Sequence, residues 1–587
     1  MVAAKPLKLK RERAKTVVRS ARFTTSAQVL IDHDITHLDQ PFTYGLPDDL
    51  KDKVTTGSRV VVPFKSEEKE GIVLELVENQ HSPSKPIIRT LNQNAYTAES
   101  LKLAGQVASR YASSVVKILR YIPEGREIGE FRSANEEKPR GKRSFEQISS
   151  ITVKRLKEQL SQHSKATLIL VPTEREASQL LNDLSESLSA RLVKAFSRSK
   201  PPKSFPLAPI VVGTRAAIFW QIPELSSIVI FHENSEHYWS DRSPFWNVRD
   251  VALIRSRLES LDLHFISGFP SMEIFRLMEL GYLKHIKSSR RSFLQRRKVR
   301  CKPDTYHQTI REGLKTGVVL VQVATKDYSA LVICKNCRTR PTCECGFYLK
   351  VVGKAEFLCT ACGFSTSEWR CNTCGGKEKV LLSRGARRIE EELGKAFPST
   401  PIHISTANKE LEKMPETGIV VATPGMEPRD GDFAALVLLD GELQLNRPTL
   451  RAEERLLDNW FTLLQSARAD APIFIDLSHN SLVTQAITAD SPFRLAKTLS
   501  TEREKVKLPP WYRIVQIKGE ELGSIQEQLK LQFPNIEVSK SKLSHEYVLR
   551  IPVEESEQVI QGIHALAKYR SASRKALISV AIDPPDL

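Results

Sequence analysis

The sequence contains no run of about 18 consecutive apolar residues, so we expect no transmembrane helix. Its N-terminal residues are rich in Lys and Arg but lack the apolar core of a secretory signal. Cysteine is nearly absent outside residues 334–374, which hold eight of the nine cysteines in close pairs, and Cys301 is the ninth. This usage is typical of reducing compartments, where thiols bind metals instead of forming disulfides. We therefore predict a cytoplasmic protein with no membrane partner.

Acidic residues are outnumbered, with 69 Asp and Glu against 87 Lys and Arg and a net charge of +18. Such a surplus favours a polyanionic partner, because each phosphate that is neutralised releases condensed counterions. A soluble basic enzyme is the alternative. The hydrophobic content of 41% is ordinary for a globular protein, and the length of 587 residues predicts three to five domains.

The N-terminal part of the chain predicts a β-rich domain behind a basic tail. Residues 1–23 form the predicted tail, which either contacts DNA backbone nonspecifically or is an incidental extension. Apolar alternation and turn residues then predict strands at 27–31, 42–46, 59–64 and 71–77. Helical spacing of apolar residues predicts a helix over 97–122, and the charged segment 123–143 predicts a linker.

The centre of the chain alternates short, almost wholly apolar runs with helical stretches. Strands buried on both faces have this pattern, which predicts parallel α/β sheets in two lobes. The first group of runs is 166–171, 210–212, 228–231 and 263–266, and the second is 318–323, 418–422, 435–439 and 472–477. Residues 284–302 contain nine Lys or Arg and no acid, which predicts either a solvated connector between the lobes or a DNA-facing stripe.

The C-terminal residues predict a small α+β domain. After residue 509 the pattern is strand, helix, strand, strand, helix and strand, which is the order of a ferredoxin-like domain. The predicted domain boundaries are 1–23 for the tail, 24–95 for the β-rich domain, 96–143 for a helix and linker, 144–300 and 301–508 for the two lobes, 334–375 for a cysteine-rich insert and 509–587 for the last domain.

The cysteine pairs predict two closed metal sites. The pairs are Cys334/Cys337, Cys343/Cys345, Cys359/Cys362 and Cys371/Cys374. Two cysteines on a tight turn bind one metal together, and two such pairs complete a tetrahedral sulfur site, which is structural because no position stays open. Eight thiolates therefore predict two Zn²⁺ ions per chain; buried free thiols and an iron–sulfur cluster are the alternatives. Spacing alone leaves the pairing order open.

Several segments together resemble the PriA family of primosomal replication-restart proteins. They are QPFTY (40–44), GSRVVVPF (57–64), GIV (71–73), GTRAA (213–217), SGFPS (267–271), the four cysteine pairs and LPP (508–510). The resemblance covers roughly residues 26–587. It implies a β domain that binds the 3′ end of a nascent DNA strand, two RecA-like helicase lobes, and a C-terminal domain that contacts branched DNA.

The resemblance also implies the ligand sets and the partners. The outer pairs, Cys334/Cys337 with Cys371/Cys374, would hold one zinc, and the inner pairs, Cys343/Cys345 with Cys359/Cys362, the other. The implied partners are forked and single-stranded DNA, primosome components, the replicative helicase with its loader, and single-stranded-DNA-binding protein. Nucleoid association follows from the same resemblance.

The predicted DNA contacts are Phe42, Tyr44, Arg59 and Lys65. Phe42 has the surface to stack a terminal base, although a core phenylalanine is the alternative. The sequence departs from the family here, with Thr43 in place of an Asp and Lys65 in place of a Gly. Selectivity for a free 3′ hydroxyl is therefore open. The region expected to form a winged helix is also shortened.

The groups that hydrolyse ATP in such lobes are degraded in three places. The candidate phosphate loop, Gly141-Lys142-Arg143-Ser144, lacks the first glycine and the Ser/Thr after its lysine, and we interpret it as a linker. At the end of the strand predicted at 228–231, His232 replaces the metal-binding Asp, and Glu233 alone remains. Arg468 lacks the glycines that place an arginine finger in the family.

We therefore predict a fork-binding scaffold for replication restart with no ATPase or helicase activity of its own and no catalytic or nucleotide-binding residues. An active 3′–5′ helicase with a divergent nucleotide site and a zinc-stabilised RNA-binding protein are the alternatives.

Overall fold

The computed structural model describes residues 23–78, 85–125, 141–149, 151–196, 199–286, 298–324, 329–337, 339–352, 356–359, 362–411, 413–428, 431–447, 449–540 and 546–585. These residues belong to two compact units, one of residues 1–101 with 124–127 and one of residues 102–123 with 128–587. The predicted basic tail, except for its last residue, and the middle of the basic segment 284–302 lie outside the described residues. The predicted domain boundaries stay predictions.

The first unit contains the predicted β-rich domain, a five-stranded antiparallel sheet in the order β2-β1-β4-β3-β5. Alternate residues of its strands, such as Val60 and Val62, point into a small apolar core. The strands are β1 (Thr25–Ile31), β2 (Phe42–Gly45), β3 (Arg59–Phe64), β4 (Glu67–Glu78) and β5 (Arg89–Asn92). The strand β5 is absent from the sequence prediction because it shows no alternation of apolar residues.

The helix predicted over 97–122 is two helices, α1 (Ala98–Arg110) and α2 (Val115–Leu119). Ala112 has a φ of +48°, and the N–H of Ser113 turns back to the carbonyl of Ala108. A left-handed residue ends an α-helix, and the apolar spacing that continues past it does not reveal this break.

Lobe 1 (residues 143–286) contains a seven-stranded, wholly parallel sheet in the order β12-β6-β11-β10-β7-β9-β8. Its central strands are buried on both faces, as their apolar runs predicted. The elements are β6 (Arg143–Gln147), α3 (Thr152–Gln162), β7 (Ala166–Leu170), α4 (Glu174–Leu188), β8 (Leu192–Ala195), β9 (Ile210–Gly213), β10 (Leu225–Phe231), α5 (Val248–Glu259), β11 (Asp262–Ser267), α6 (Met272–Glu279) and β12 (Lys284–Ile286).

Lobe 2 (residues 299–505 without the insert) contains a second parallel sheet, in the order β13-β23-β22-β14-β21-β20. The insert leaves it after β14 and returns before α8. The elements before the insert are β13 (Val299–Arg300), α7 (Tyr306–Leu314) and β14 (Val319–Gln322). The insert itself consists of β15 (Ser329–Cys334), β16 (Leu349–Val352), β17 (Glu356–Cys359), β18 (Ser365–Thr366) and β19 (Lys379–Arg384).

The remainder of lobe 2 covers the sheet with helices on both faces. Two apolar clusters flank the sheet, and one of them also takes in Phe269, Met272 and Phe275 from lobe 1. The elements are α8 (Ala386–Ala396), β20 (Ile402–Ser405), β21 (Ile419–Ala422), β22 (Ala435–Leu438), α9 (Gly441–Leu445), α10 (Ala452–Gln465), β23 (Ile473–Ile475), α11 (Leu482–Thr488) and α12 (Pro492–Lys505).

The C-terminal domain has the predicted βαββαβ order. Its four-stranded sheet is antiparallel, in the order β25-β26-β24-β27, with two helices against it. The elements are β24 (Tyr512–Lys518), α13 (Leu522–Gln532), β25 (Glu537–Lys540), β26 (Glu546–Pro552), α14 (Ser556–Ala572) and β27 (Ser579–Ile582). The predicted fold class is confirmed. Among the described helices, none combines the length and the apolar character needed to cross a bilayer.

Candidate functional site

The paired cysteines lie at strand ends and in turns of the insert. Cys334 ends β15, which pairs with β19 as an antiparallel stem, and Cys359 ends β17. The stem brings the two ends of the insert together, so that cysteines 40 residues apart in sequence become neighbours. The stacked rings of Phe357 and Trp369 pack in the same small apolar cluster as the buried thiols.

The eight thiols form two groups of four. One group is Cys334, Cys337, Cys371 and Cys374, the other is Cys343, Cys345, Cys359 and Cys362, and the sulfur atoms of each group lie within 4.8 Å of one another. The Sγ–Sγ distances are 3.5 Å for Cys334–Cys374 and 3.4 Å for Cys337–Cys371. Zinc–sulfur bonds of about 2.3 Å place tetrahedral ligands about 3.8 Å apart, so each group fits a zinc ion after a small expansion.

Tight turns carry the second cysteine of three of the four pairs. Gly346, Gly363 and Gly375 have φ values of +90°, +69° and +72°, which only glycine adopts without steric cost. The N–H groups of Gly363 and Gly375 donate to the carbonyls of Cys359 and Cys371. The short Cys343/Cys345 pair forms a turn as well, with Gly346 donating to the carbonyl of Cys343 at 2.9 Å.

Three thiols are already biased towards the thiolate that a metal requires, and in Cys371 the backbone N–H of Cys374 lowers the pKa. Hydrogen bonding to the side chain and backbone of Thr339 lowers the pKa of Cys337 to about 6. The backbone N–H of Phe364 lowers the pKa of Cys362 to about 7. Each group thus contains at least one thiol whose pKa is lowered towards neutral pH.

Two of the four predicted DNA contacts, Phe42 and Lys65, lie at the surface of the β-rich domain. Phe42 is half-buried and meets Phe64 edge to face, with ring centroids 5.5 Å apart. Lys65 is exposed, has a φ of +56°, and holds its ammonium 5.8 Å from the centre of the Phe64 ring. Phe42, Phe64 and Lys65 therefore place aromatic rings and a cation side by side, and a DNA contact by Phe42 or Lys65 stays a prediction.

Tyr44 and Arg59 have partners within the same domain. The Tyr44 side chain is buried, its hydroxyl donates to the carbonyl of Pro63 at 3.2 Å, and burial raises its pKa. Arg59 is paired with the carboxylates of Glu70 and Glu124. A DNA contact by either residue stays a prediction and requires that these bonds be exchanged.

The segment Gly141–Ser144 enters a strand, so its interpretation as a linker is wrong for residues 143 and 144. The strand β6 pairs with β11 and β12, and it escaped the sequence pattern because Phe145 is its single apolar residue. The N–H of Lys142 donates to Asp262, and the hydroxyl of Ser144 bonds to His264 at 2.6 Å. A phosphate loop follows a strand instead of preceding one, so this segment is not in the place of such a loop.

The position that a phosphate loop requires is the connection between β6 and α3. Residues 148–151 contain neither glycine nor lysine. The hydroxyl of Thr152 accepts the N–H of Ser149 at 2.8 Å, which closes the turn on itself. The sequence of this connection therefore supplies neither the glycines nor the lysine of a phosphate loop.

The loops after β10 and β11 contribute to the same carboxyl edge of the sheet, where open α/β sheets bind ligands. His232, with a φ of +50°, lies 3.1 Å through its Nδ1 from a carboxylate oxygen of Asp458 in lobe 2. Glu233 is fully buried, and its carboxylate accepts the N–H of Ser271 at 2.7 Å. Both side chains thus bond to protein groups at the position where a motor binds magnesium and water.

Helix α10 of lobe 2 packs directly on this edge. The carboxylate of Asp458 accepts the N–H groups of Gly268 and Phe269 at 2.6 and 3.2 Å. A Cβ on Gly268 would lie 2.3 Å from the carbonyl oxygen of Asp458 and 2.6 Å from the hydroxyl of Thr462. The loop after β11 is therefore in close contact with the backbone of α10.

A buried ionic network joins the lobes beside this contact. Arg451, 1% exposed, forms a two-bond pair with Glu273 of lobe 1, and Arg249 lies 3.3 Å from the same carboxylate. Burial acts to raise the pKa of Glu273, but Arg249 and Arg451 hold this pKa well below its usual range. Glu454 accepts the N–H of Met272 at 2.8 Å and pairs with Arg503.

Sequence reasoning missed Asp458, Glu454 and Arg451. Their signal was a set of charged residues at helical spacing, with Arg451 just before α10 and Glu454 and Asp458 within it, which no local pattern assigns to a partner. Arg468, the candidate arginine finger, donates to Asp432 and to the carbonyl of Thr316 at 2.8 and 2.7 Å. These partners precede β22 and β14, so Arg468 lies at the amino edge of the lobe 2 sheet, away from the carboxyl edge.

The buried Glu233 gives the fold a pH dependence. Burial raises its pKa to about 7, and Arg249 and the Ser271 N–H oppose the rise only in part. The folded state holds the Glu233 proton more tightly than the unfolded state. This proton therefore stabilises the fold fully below about pH 4.5, and its contribution is lost as the pH rises towards 7. We expect Glu233→Gln to stabilise the protein at pH 8 by about 1–3 kcal/mol and to leave it nearly unchanged at pH 4.5.

The measurement is the urea concentration at the midpoint of unfolding, taken from pH 4.5 to 8. This midpoint should vary less with pH in the variant than in the wild type. Glu158→Gln, at an exposed position of the same lobe, is the control and should leave the curve unchanged. A Glu233→Gln variant with the wild-type pH dependence would contradict the assignment of this dependence to the Glu233 carboxyl.

Comparison with known proteins agrees with the fold described above. A family model described as the PriA 3′DNA-binding domain (3′BD) matches residues 28–122. The "probable replication restart protein PriA" of Mycobacterium leprae is 27% identical over 579 residues, covering 84% of this chain and 88% of that protein. The Rickettsia conorii "replication restart protein PriA" is 26% identical over 498 residues, covering 71% and 74%.

Among solved structures, Saccharomyces cerevisiae Dbp5 bound to RNA and ADP BeF3 superposes with a TM-score of 0.35 and 12% identity, over 62% of this chain and 91% of that one. A DEAD box protein of Methanococcus jannaschii gives a TM-score of 0.30 with 12% identity, over 60% and 86%. The matched DNA-binding domain and the relatives along most of its length show that this chain is similar to replication restart proteins named PriA.

Proposed function

We propose that the protein recognises stalled or forked DNA, binds two structural zinc ions through its insert, and promotes primosome assembly and loading of the replicative helicase without hydrolysing ATP. Its partners would be forked and single-stranded DNA, other primosome components, the replicative helicase with its loader, and single-stranded-DNA-binding protein. Its place would be the nucleoid.

One contrast within the chain carries the proposal. The DNA-binding domain is retained, with Phe42 and Lys65 at its surface, and the eight thiols lie in two groups of four. The carboxyl edge of lobe 1, by contrast, is in contact with α10 through Asp458. A chain that keeps its DNA-binding parts while this edge is packed against protein is suited to a scaffold.

The test is DNA binding and ATP hydrolysis measured on the same zinc-loaded preparation. We expect tighter binding to a fork than to a blunt duplex, affinity that falls steeply with salt, and turnover below about 0.1 per second with magnesium and forked DNA. Equal affinity for fork and blunt duplex would reject fork recognition. Faster turnover would show an active motor, and stronger binding to structured RNA would favour an RNA partner.

A further inference from the structure

The zinc insert contains a second feature besides its thiols, a solvent-open cleft of about 360 Å³ beside the outer cysteine group. This volume lies at the lower end of the range for small-ligand sites. The residues that line the cleft are Phe357, Ser367, Glu368, Trp369, Arg370, Lys377 and Lys379.

The floor of the cleft is rigid. Phe357 and Trp369 are stacked with ring centroids 5.4 Å apart and an interplanar angle of 24°, and both are at least nine-tenths buried. Lys379 holds its ammonium 4.5 Å from the centre of the Phe357 ring. Antiparallel pairing of β17 with β18 fixes Phe357 opposite Thr366. The cationic side chain therefore sits on a preformed aromatic support.

The wall of the cleft is rich in hydrogen-bond donors. Arg370, Lys377 and Lys379 have no ion-pair partner within the described residues, and the Trp369 Nε1–H, although buried, has no acceptor there. Arg, Lys and Trp side chains donate and do not accept. Glu368 is the single carboxylate of the lining, so the cleft has a net charge of +2 and suits a ligand that offers several acceptor oxygens.

We propose that this cleft binds a phosphodiester group of a single DNA strand, as a contact separate from the β-rich domain. The inference rests on the proposed DNA-binding function and names a further surface for it. An acidic peptide would also satisfy the three cations, but the +18 charge of the chain favours nucleic acid.

The experiment uses the full-length, zinc-loaded protein and a labelled single-stranded oligothymidylate, with binding followed by fluorescence anisotropy from about 50 to 200 mM salt. The test variant is Arg370→Gln/Lys377→Gln/Lys379→Gln. The control is Lys350→Gln, which removes an exposed lysine of the same insert outside the cleft. Zinc content is measured on every preparation.

We expect the triple variant to retain its zinc, to lose at least about tenfold in affinity, and to show a salt dependence shallower by about 0.7 in log–log slope, the contribution of one phosphate contact on a single strand. The control should change neither quantity. If the triple variant loses zinc, the single variant Lys377→Gln tests the inference instead. This exposed lysine has no ion-pair or ring contact with a described residue, so replacing it should not disturb the zinc sites.

Unchanged affinity in the triple variant, or an equal loss in the control, would overturn the inference while leaving DNA binding intact. Loss of binding to a labelled polyglutamate peptide, with oligothymidylate binding unaffected, would overturn it in favour of a protein partner. Displacement of the oligothymidylate by inorganic phosphate, compared with chloride at equal ionic strength, would point to a free-anion site. Failure of the wild-type protein to bind any DNA would instead reject the proposed function itself.

Discussion

Cys334→Ser is expected to reduce the zinc content from two ions per chain to one and to unfold the outer part of the insert. Cys334 is fully buried, ends β15 and lies 3.5 Å from Cys374. The hydroxyl of serine does not replace a thiolate in a tetrahedral sulfur site. Binding of structural zinc contributes about 10–16 kcal/mol in small peptides, far more than the apolar contacts of an insert this small supply, so the outer group should not hold its shape without the ion.

The measurement is metal analysis of the purified protein combined with limited proteolysis of residues 329–384. Cys359→Ser should remove the other ion and leave the outer site loaded, because the two groups share no ligand. The control is Cys301→Ser, which alters the one cysteine outside both groups and should leave two ions bound. Wild-type protein without zinc would refute the metal assignment, and a Cys334→Ser protein with two ions would refute the outer ligand set.

Arg451→Met is expected to destabilise the contact between the lobes by about 3–5 kcal/mol. Arg451 is almost fully buried, with two bonds to Glu273, a distance of 3.7 Å to Glu454 and its guanidinium 5.1 Å from the Trp239 ring. Methionine fills a similar volume but leaves the Glu273 carboxylate with less positive charge around it in a largely buried site. The expected loss of stability is the free-energy cost of leaving a buried charge uncompensated.

Urea unfolding monitored by tryptophan fluorescence measures this change. Arg451→Met/Glu273→Gln should recover part of the loss, because the double variant removes both charges together. Arg388→Met, which breaks an exposed pair with Glu391, is the control and should cost no more than about 1 kcal/mol. An Arg451→Met protein as stable as this control would show that the network does not hold the lobes.

The predictions that the structure confirmed were those carried by local pattern. Runs such as 166–171 and 435–439 became strands buried on both faces, because a parallel strand covered by helices has no polar face to show in its sequence. The βαββαβ order of the last domain followed from short, well-separated elements.

The predictions that failed were those in which a distant part of the chain decides the outcome. The strand β6 forms from charged residues because β11 and β12 supply its partners more than a hundred residues later. The helix predicted over 97–122 breaks at Ala112, whose left-handed conformation has no signature in a single alanine. In both places the outcome depends on a strand pairing or a backbone angle that the periodicity of apolar residues does not encode.

The amino-acid sequence alone determined the cysteine pairs and the strands of the two parallel lobes, because cysteine spacing and strand burial are visible within a few residues. The loss of the nucleotide-binding groups stays a prediction from the sequence. Only the tertiary structure decided what occupies the carboxyl edge of lobe 1. His232 and Asp458 are 226 positions apart, and Met272 and Glu454 are 182 apart. Hydrogen bonds over such separations depend on how two separately formed sheets pack together, and no local pattern in either segment specifies that packing.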